Sequence, residues 1–237
     1  MNTVKQVMAE LKKKGNEKTH QTYCRHGAPA DKLFGVQVGD MKVILKKIKG
    51  NQELALELYE TGNSDAQYLA GLAADGALMT KQQLESWAKT ACWGMISQWT
   101  VPFVAAESKH ASSLAAKWIK SKKESIAVSG WGTLSSMVAV VPDESLDLDE
   151  LKAYMDKVLK EVHSASNEVK GMMNAYIIAV GTYVKPLLKQ AKATAKKMGK
   201  VEVDHGDTSC KTPDALSYIE KVEQKGRVGK KRKSTKC

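Results

Sequence analysis

The sequence has few cysteines and no long hydrophobic run. Its cysteines, Cys24, Cys92, Cys210 and Cys237, share no short spacing, so neither a disulfide framework nor a CxxC metal site is indicated. No stretch approaches the roughly 18 apolar residues that a membrane-spanning helix needs, and the N-terminal stretch MNTVKQVMAELKKKGNEK is polar. We therefore expect neither secretion nor membrane insertion. The expected compartment is the cytoplasm, on the nucleoid in a bacterium, or the nucleus in a eukaryote.

The familiar catalytic signatures are also missing. The chain has no GxxxxGK[ST], GxGxxG or HExxH motif, which removes the ordinary P-loop, dinucleotide-binding and zincin classes. It has no GxSxG motif either, because Ala127 stands two residues before Ser129, where that motif requires glycine. We therefore expect no cofactor and no metal.

The positive charge is concentrated at one end of the chain. Lys and Arg number 37 against 26 Asp and Glu, which gives a formal net charge of +11. Seven of these cations and no acid lie in the last stretch, QKGRVGKKRKSTKC, which leaves +4 for residues 1–223. Because this stretch has no apolar periodicity, we expect a flexible basic tail over residues 225–237 that contacts a polyanion, with nucleic acid favoured. The alternative is a solubilising end or a localisation signal.

Hydrophobic residues recur at helical spacing along most of the chain. With 43% hydrophobic and 27% charged residues, the chain can bury a core. Leu151, Met155, Val158 and Val162 share one face of a helix, and the pattern repeats in later segments. We find no convincing series of alternating strands. The sequence therefore predicts an all-α fold.

The predicted helices could form a bundle or a solenoid, and their spacing favours a curved α-solenoid of HEAT-like helix pairs with a period of about 35–45 residues. Small residues such as Ala66, Ala70 and Ala73 would allow close stacking. We expect one domain over residues 1–223, with an irregular loop at about 199–212 and a short last helix at about 213–224. The predicted helix starts lie near Asp31, Asn51, Asp65, Thr80, Glu107, Lys123, Asp147 and Ser164.

The predicted loop contains four residues of metal-ligating type, Asp204, His205, Asp207 and Cys210. They crowd into one turn-rich segment, and no second cluster accompanies them. We therefore interpret the segment as a structural loop rather than a zinc site.

Tryptophan is unusually frequent, with five residues against two phenylalanines. Trp87, Trp93 and Trp99 lie six residues apart, a step of about 600° on a helix, so the three rings do not share one stripe. A turn near Gly94 would break the segment into two helices. Each ring is either a core anchor, the more frequent role, or an exposed surface on which nucleic acid packs.

The stretch over residues 34–99, which begins FGVQVGDMK, resembles the AlkD-like family of DNA alkylation repair proteins. In that family a Gly-Val entry, an ELA..LY helix, a small-residue helix and a tryptophan-containing segment follow in this order. The resemblance continues through KWIKSKKESIAVSGWGTLSSM and the helix around Val169–Val180, and so covers about Leu33 to Val184. The ending GDTSCKTPDALSYIEKVEQKGRVGKKRKSTKC looks like the C-terminus of one branch of the family.

The resemblance implies HEAT-like repeats with a cationic concave groove that binds duplex DNA, including alkylated DNA. We expect the protein to be a monomer. Active members of the family are similar to monofunctional glycosylases that release N3- or N7-alkylated purines without drawing the lesion into a pocket. Their chemistry uses a carboxylate near the deoxyribose, which stabilises positive charge growing on the sugar, together with tryptophans packed against that sugar.

Transferring the family's residues onto this chain shows that the acid is missing. The family's first tryptophan matches Trp93, and its catalytic Asp falls on Ser97, which carries no charge. A later Arg falls near Gly130, beside Trp131, and a later Trp falls on or next to Ala175, with Tyr176 adjacent. Losing such an electrostatic group typically costs on the order of 10²–10³ in rate. The chain thus resembles a branch that lacks the usual acid.

Three functions follow as alternatives. The first is an alkylation-repair-type protein that binds duplex DNA, with N3/N7-alkylpurine glycosylase activity if the chemistry is retained. The second is a non-catalytic HEAT-like scaffold for DNA or a protein. The third uses an acid elsewhere: Glu107, Asp75 or a residue within Asp204–Asp207. The expected DNA-binding residues are Trp93, Ser97, Trp131, Tyr176, Lys117, Lys120, Lys122, Lys123 and Lys170, with Lys230, Lys231, Arg232 and Lys233 in the tail.

Overall fold

The computed structural model describes residues 1–236, and this part of the chain contains helices and no strand. Within it, no helix is both long and apolar enough to cross a membrane. The all-α prediction is confirmed. The thirteen α-helices are α1 Val4–Lys13, α2 Glu17–Arg25, α3 Val38–Ile48, α4 Gln52–Glu60, α5 Ser64–Ala73, α6 Lys81–Thr90, α7 Val101–Ala106, α8 Ala111–Trp118, α9 Glu124–Val140, α10 Leu148–Glu161, α11 Asn167–Tyr183, α12 Leu188–Met198 and α13 Ala215–Gln224.

Most helices begin directly after a residue whose side chain accepts a hydrogen bond from an amide of the first turn. Thr80 and Gln83 form the capping box at the start of α6, and Asn51 and Asp147 accept hydrogen bonds from the first-turn amides of α4 and α10. The start predicted near Asp31 is wrong, because only a 3₁₀ turn forms at Ala30–Lys32 and α3 begins at Val38. The helix start predicted near Glu107 is four residues too early, since α8 begins at Ala111.

A buried carboxylate explains the late start of α3. Asp65 accepts hydrogen bonds from the backbone amides of Phe34, Gly35 and Val36 at 2.6, 3.2 and 3.0 Å. These amides are therefore fixed to the start of α5 and cannot join a helix that begins at Asp31. Gly35 adopts a left-handed φ of +77°, which ends any local helix.

The helices pair and the pairs stack. Helix α4 packs on α5, α6 on α7, α8 on α9 and α12 on α13, while the second helices form a continuous row in the order α5, α7, α9, α11 and α13. Glycines allow close approach within this row. A Cβ at Gly132 would lie 2.6 Å from Pro102 Cγ, and one at Gly181 would lie 2.5 Å from Ile219 Cδ1. Close approach at these glycines therefore positions neighbouring pairs.

The second helices present their first residues along one edge of the stack. The indole of Trp93, before α7, donates to Ser64 at the start of α5, and the carboxylate of Glu124, at the start of α9, accepts from the amide of Glu168 at the start of α11. We call this the N-terminal edge. Their last residues lie along the opposite, C-terminal edge.

The predicted flexible tail lies against the C-terminal edge instead. Residues 229–236, here named the C-terminal strap, cross the last turns of α11, α9 and α7 and reach the residue after α5. The hydrogen bonds run from Gly229 N to Thr182 O, Lys231 Nζ to Val138 O, Arg232 N to Ala139 O, Thr235 Oγ1 to Phe103 O and Lys236 Nζ to Ala74 O. Cys237 lies outside the described residues.

Helix electrostatics account for this difference from the prediction. The last carbonyl groups of a helix have no partner within the helix and carry partial negative charge, so ammonium groups bind there favourably. Two carboxylates add to the attraction: Lys231 lies 2.7 Å from Asp143, and Lys236 lies 3.1 Å from Glu107. Composition alone predicts mobility, because it does not reveal four helix ends aligned along one edge.

Candidate nucleic-acid interface

An open cleft of about 790 Å³ lies at the N-terminal edge. Four segments line it: residues 23–27 at the end of α2, residues 93–99 before α7, the first half of α11, and the loop from Val203 to Pro213. The loop between α12 and α13 has no regular secondary structure, as the sequence predicts for about 199–212, and α13 agrees with the predicted last helix.

The segment before α7 gives each tryptophan a different environment. Helix α6 ends at Thr90, and residues Ile96–Thr100 form a π-helical turn that continues into α7. Trp87 is buried and stacks on Tyr59, with ring centroids 3.9 Å apart. Trp93 is half-buried in the cleft wall, and Trp99 is 45% exposed. The predicted break near Gly94 is present, and it separates the core ring from the two rings at the cleft.

Trp93 is held firmly at this wall. Its Nε1 donates to Ser64 Oγ at 2.7 Å, and its ring lies 5.8 Å from that of Tyr23. The hydrogen bond fixes the indole orientation, so the edge of the ring that faces the cleft is defined before any ligand arrives. The structure thus places Trp93 in the cleft wall, while its contact with DNA stays a prediction.

Ser97 does not face the cleft. It is 1% exposed, and its hydroxyl donates to the carbonyls of Trp93 and Gly94 at 3.4 and 3.2 Å. The prediction that Ser97 contacts DNA is contradicted, because the side chain lies against its own helical turn. Its carbonyl accepts a hydrogen bond from Ser129 Oγ, which ties the π-helical turn to α9.

The prediction that Trp131 and Tyr176 contact DNA is also wrong, since both side chains are 0% exposed. Their rings pack together in the C-terminal half of the core with centroids 5.4 Å apart, and Tyr154 packs against both. The hydroxyl of Tyr176 donates to Leu151 O. Ala175, the neighbouring alternative at this position, does line the cleft.

Glu168 is a cleft residue that the sequence does not reveal. Its side chain accepts a hydrogen bond from Gln98, and its Oε1 would lie 3.1 Å from a Cβ placed on Gly94. Burial and, secondarily, the nearby Glu124 raise the pKa of the Glu168 carboxyl above its usual value. In the sequence it is one acidic residue in the first turn of a helix, a common pattern that carries no functional signal.

Of the alternative acids, only Asp204 lines the cleft. Glu107 binds Thr235 and Lys236 in the C-terminal strap, and Asp75 accepts from the amide of Ala77 in the turn after α5. Neither of these two carboxylates belongs to the N-terminal edge. The prediction that one of them could act in the groove is therefore wrong.

Helix α11 holds the Val203–Pro213 loop in place. Asn167 donates to the carbonyl of Asp204 at 2.7 Å and accepts from its amide at 2.8 Å, while Asn174 donates to the carbonyl of Pro213 at 3.0 Å. His205 hydrogen-bonds Thr212 within the loop. Throughout residues 1–236, no three His, Cys, Asp or Glu side chains group in a way that could hold a metal ion.

The cleft lining itself carries no excess of positive charge, because Arg25 and Lys211 are balanced by Glu168 and Asp204. None of the predicted lysines lines it. Lys120, Lys122 and Lys123 are exposed on the turn before α9, and the ammonium group of Lys123 donates to Lys89 O at 2.7 Å. We name the lysines of this turn the rim lysines.

The other cations predicted to bind DNA are paired with a carboxylate, partly buried, or located away from the cleft. Lys117 is exposed but pairs with Glu85 at 2.8 Å, which lowers the pKa of that carboxyl. Lys170 is half-buried on α11. In the strap, Lys231 is paired with Asp143 at 2.7 Å, and its contact with DNA stays a prediction. Lys230, Arg232 and Lys233 are exposed, although they lie at the edge away from the cleft.

Stacked helix pairs with an indole-lined cleft at the N-terminal edge define a HEAT-like repeat protein related to the DNA glycosylases. The chain belongs to the family of DNA alkylation repair enzymes, whose sequence profile matches residues 7–197. The family resemblance seen in the sequence is confirmed.

Two proteins and one solved structure show the relationship along almost the whole chain. The protein Lin0241 of Listeria innocua serovar 6a is 36% identical over 232 residues, which cover 95% of this chain and 99% of that protein. Lmo0209 of Listeria monocytogenes serovar 1/2a is 34% identical with the same coverage. The solved structure, with a TM-score of 0.91 and 35% identity, covers 99% of this chain and 100% of that chain. It represents a family of proteins related to the HEAT-like repeat DNA glycosylases with affinity for branched DNA structures.

Proposed function

We propose that this protein binds DNA at the N-terminal edge, prefers branched DNA, and does not excise alkylated bases. One observation supports the non-catalytic part: Ser97, the residue that the resemblance matches to the family's acid, is uncharged, buried, and bonded to its own turn. The affinity of the structural relative for branched DNA supports the preference.

Binding rests on two features that lie at the same edge. The rim lysines are exposed on the turn before α9, where ammonium groups can neutralise phosphates and release counterions. Trp93 and Trp99 present indole surface in the adjoining cleft. Because phosphate contacts position the protein without reading sequence, we expect recognition of DNA geometry with little base-sequence preference.

A salt titration with matched variants tests the binding site. Lys120→Gln combined with Lys122→Gln removes two charges from the rim. We expect weaker binding to a four-way junction and a shallower dependence on salt, with a slope smaller by about 0.9 for each phosphate that the variant no longer neutralises. Lys109→Gln combined with Lys189→Gln removes the same charge from exposed residues at the C-terminal edge. Equal weakening in the two double variants would contradict the proposed location.

The branched-DNA preference and the lack of catalysis have separate readouts. Wild-type protein should bind a four-way junction more tightly than a linear duplex of the same sequence and length. Incubation with duplex DNA containing 7-methylguanine should release base at the spontaneous rate. Faster release would favour the alternative, an alkylpurine glycosylase that uses Glu168 or Asp204, the carboxylates that line the cleft.

A further inference from the structure

The cleft combines three features that together suit an unpaired nucleobase. An exposed aromatic face lies in it, a hydrogen-bond acceptor lies half-buried in its wall, and two exposed cations from separate segments belong to its lining. We propose that the cleft receives one unpaired base of a DNA branch point, stacked on Trp99, with Glu168 accepting hydrogen bonds from the base edge. This inference rests on the proposed function, because it names what enters the same site.

The stacking surface is Trp99. All five tryptophans lie within residues 1–236, and Trp99 alone is exposed. Its ring is supported by Phe103, with centroids 6.2 Å apart, in the helix that follows the π-helical turn. An exposed indole on a rigid support binds the flat face of any base. Met95 and Met172 provide further adaptable apolar surface beside it.

The polar edge of the base would meet Glu168. In its ionised form, this carboxylate accepts hydrogen bonds but donates none. Guanine offers two adjacent N–H donors on its pairing edge, whereas thymine offers one donor between two carbonyl oxygens. Gln98 already donates to Glu168 from the π-helical turn, which limits the carboxylate's motion. We therefore expect the cleft to favour an unpaired guanine over an unpaired thymine.

Two cations from separate segments of the cleft lining are available to the flanking phosphates. Arg25 lies at the end of α2 and Lys211 lies in the loop before α13, and both side chains are exposed. A base within a continuous duplex is stacked and paired, so its faces are covered and extracting it costs free energy. A branch point can supply an unpaired base without that cost, which connects the cleft to the proposed preference.

The test compares three-way junctions that carry one unpaired nucleotide at the branch. One junction has guanine at that nucleotide, a second has thymine, and a third has an abasic tetrahydrofuran unit. Wild-type protein should bind the guanine junction about ten-fold more tightly than the abasic junction, the share expected of one stacked base. Trp99→Ala should bind all junctions as weakly as wild type binds the abasic one, and Trp99→Phe should retain part of the difference.

Tyr218→Ala is the matched control, because Tyr218 is 47% exposed on α13 and is not among the cleft residues. It should leave the base preference unchanged. Glu168→Gln should narrow the gap between guanine and thymine, since an amide both donates and accepts. Free guanosine monophosphate should compete only weakly, because it lacks the second phosphate contact. If that nucleotide competes effectively at micromolar concentration, the inference is wrong, and the cleft is a site for a free nucleotide rather than for a branch-point base.

Two other outcomes separate the inference from the proposed function. If wild-type protein binds the guanine and abasic junctions equally well, the unpaired-base inference fails while branched-DNA binding stands. If no junction binds in a salt-dependent way, the proposed function itself fails. A loss of affinity in Trp99→Ala that is the same for the guanine and abasic junctions would also contradict base stacking.

Discussion

At the scale of single residues, burial decides which predicted contacts survive. The sequence marks Trp93, Ser97, Trp131 and Tyr176 as a set, because the family resemblance transfers them together. The structure separates them: Trp93 lies in the cleft wall, while the other three side chains are buried. Residue type and spacing identify the segments but do not fix which way each side chain points: Ser97 lies in a π-helical turn, where the regular α-helical step is interrupted, and Trp131 and Tyr176 lie on the core-facing sides of α9 and α11.

Ser97 provides the sharpest test of this distinction. Ser97→Asp restores the family's residue type but buries a carboxylate against backbone carbonyls, which can offer it no hydrogen bond. We expect a loss of unfolding free energy of at least about 1–3 kcal/mol and no release of alkylated base. Ser97→Ala is the control, and it should change stability little because its hydroxyl serves only local carbonyls. Urea unfolding measures both; a stable, active Ser97→Asp variant would contradict the assigned orientation.

Glu168 should make stability depend on pH. Burial, with Glu124 second, raises the pKa of its carboxyl, so the folded chain holds this proton more tightly than the unfolded chain. The contribution of this bound proton to the free energy of unfolding is therefore fully present below the ordinary pKa of Glu, and it is lost as the pH rises through the raised pKa. In Glu168→Gln this loss is absent. The Tm of the variant relative to wild type should increase from about pH 4 to about pH 7; a constant difference would show that Glu168 is not perturbed.

At the scale of elements, the sequence predicts helices well and their connections less well. Capping residues such as Thr80, Asn51 and Asp147 act within one turn, so their effect can be read locally. The extended segment before α3 depends on Asp65, 30 residues from Gly35, and the loop after α12 depends on Asn167. Such long-range hydrogen bonds leave no local pattern. Of these two connections, the loop after α12 lines the cleft, and the sequence does not show that this loop folds against the start of α11 beside Glu168.

The loop itself can be tested through Asn167. Asn167→Ala removes both hydrogen bonds to Asp204, and we expect faster amide hydrogen exchange across residues 203–206 while α13 stays protected. Ser164→Ala is a suitable control, because the Ser164 hydroxyl donates to Glu161 in the preceding turn. Unchanged exchange in Asn167→Ala would mean that Asn174 and His205 hold the loop without it.

At the scale of the whole molecule, one edge is available to a ligand and the other is occupied. The N-terminal edge contains the cleft and the rim lysines, whereas the C-terminal edge contains the strap. The basic composition of residues 224–237 predicts affinity for negative charge. In the structure the strap binds negative charge within the same molecule, namely the helix-end carbonyl groups and the carboxylates of Asp143 and Glu107.

Matched pairs of lysines separate the structural role of the strap from its charge. Lys231→Gln with Lys236→Gln breaks both ion pairs, and we expect a loss of about 1–3 kcal/mol of unfolding free energy for each. Lys230→Gln with Lys233→Gln removes the same charge from exposed positions and should leave stability nearly unchanged. Thermal and urea unfolding measure the difference. Equal destabilisation by the two pairs would assign the effect to net charge.

The strap also changes how such an array can come apart. In helical repeats each unit touches only its neighbours, so terminal units can fray while the middle stays folded. Here Lys236 contacts the carbonyl of Ala74 across 162 residues of sequence. Peeling the final helices away therefore requires breaking a bond to the end of α5, in the N-terminal half of the chain, which couples both halves into a single cooperative transition and slows folding through distant pairings.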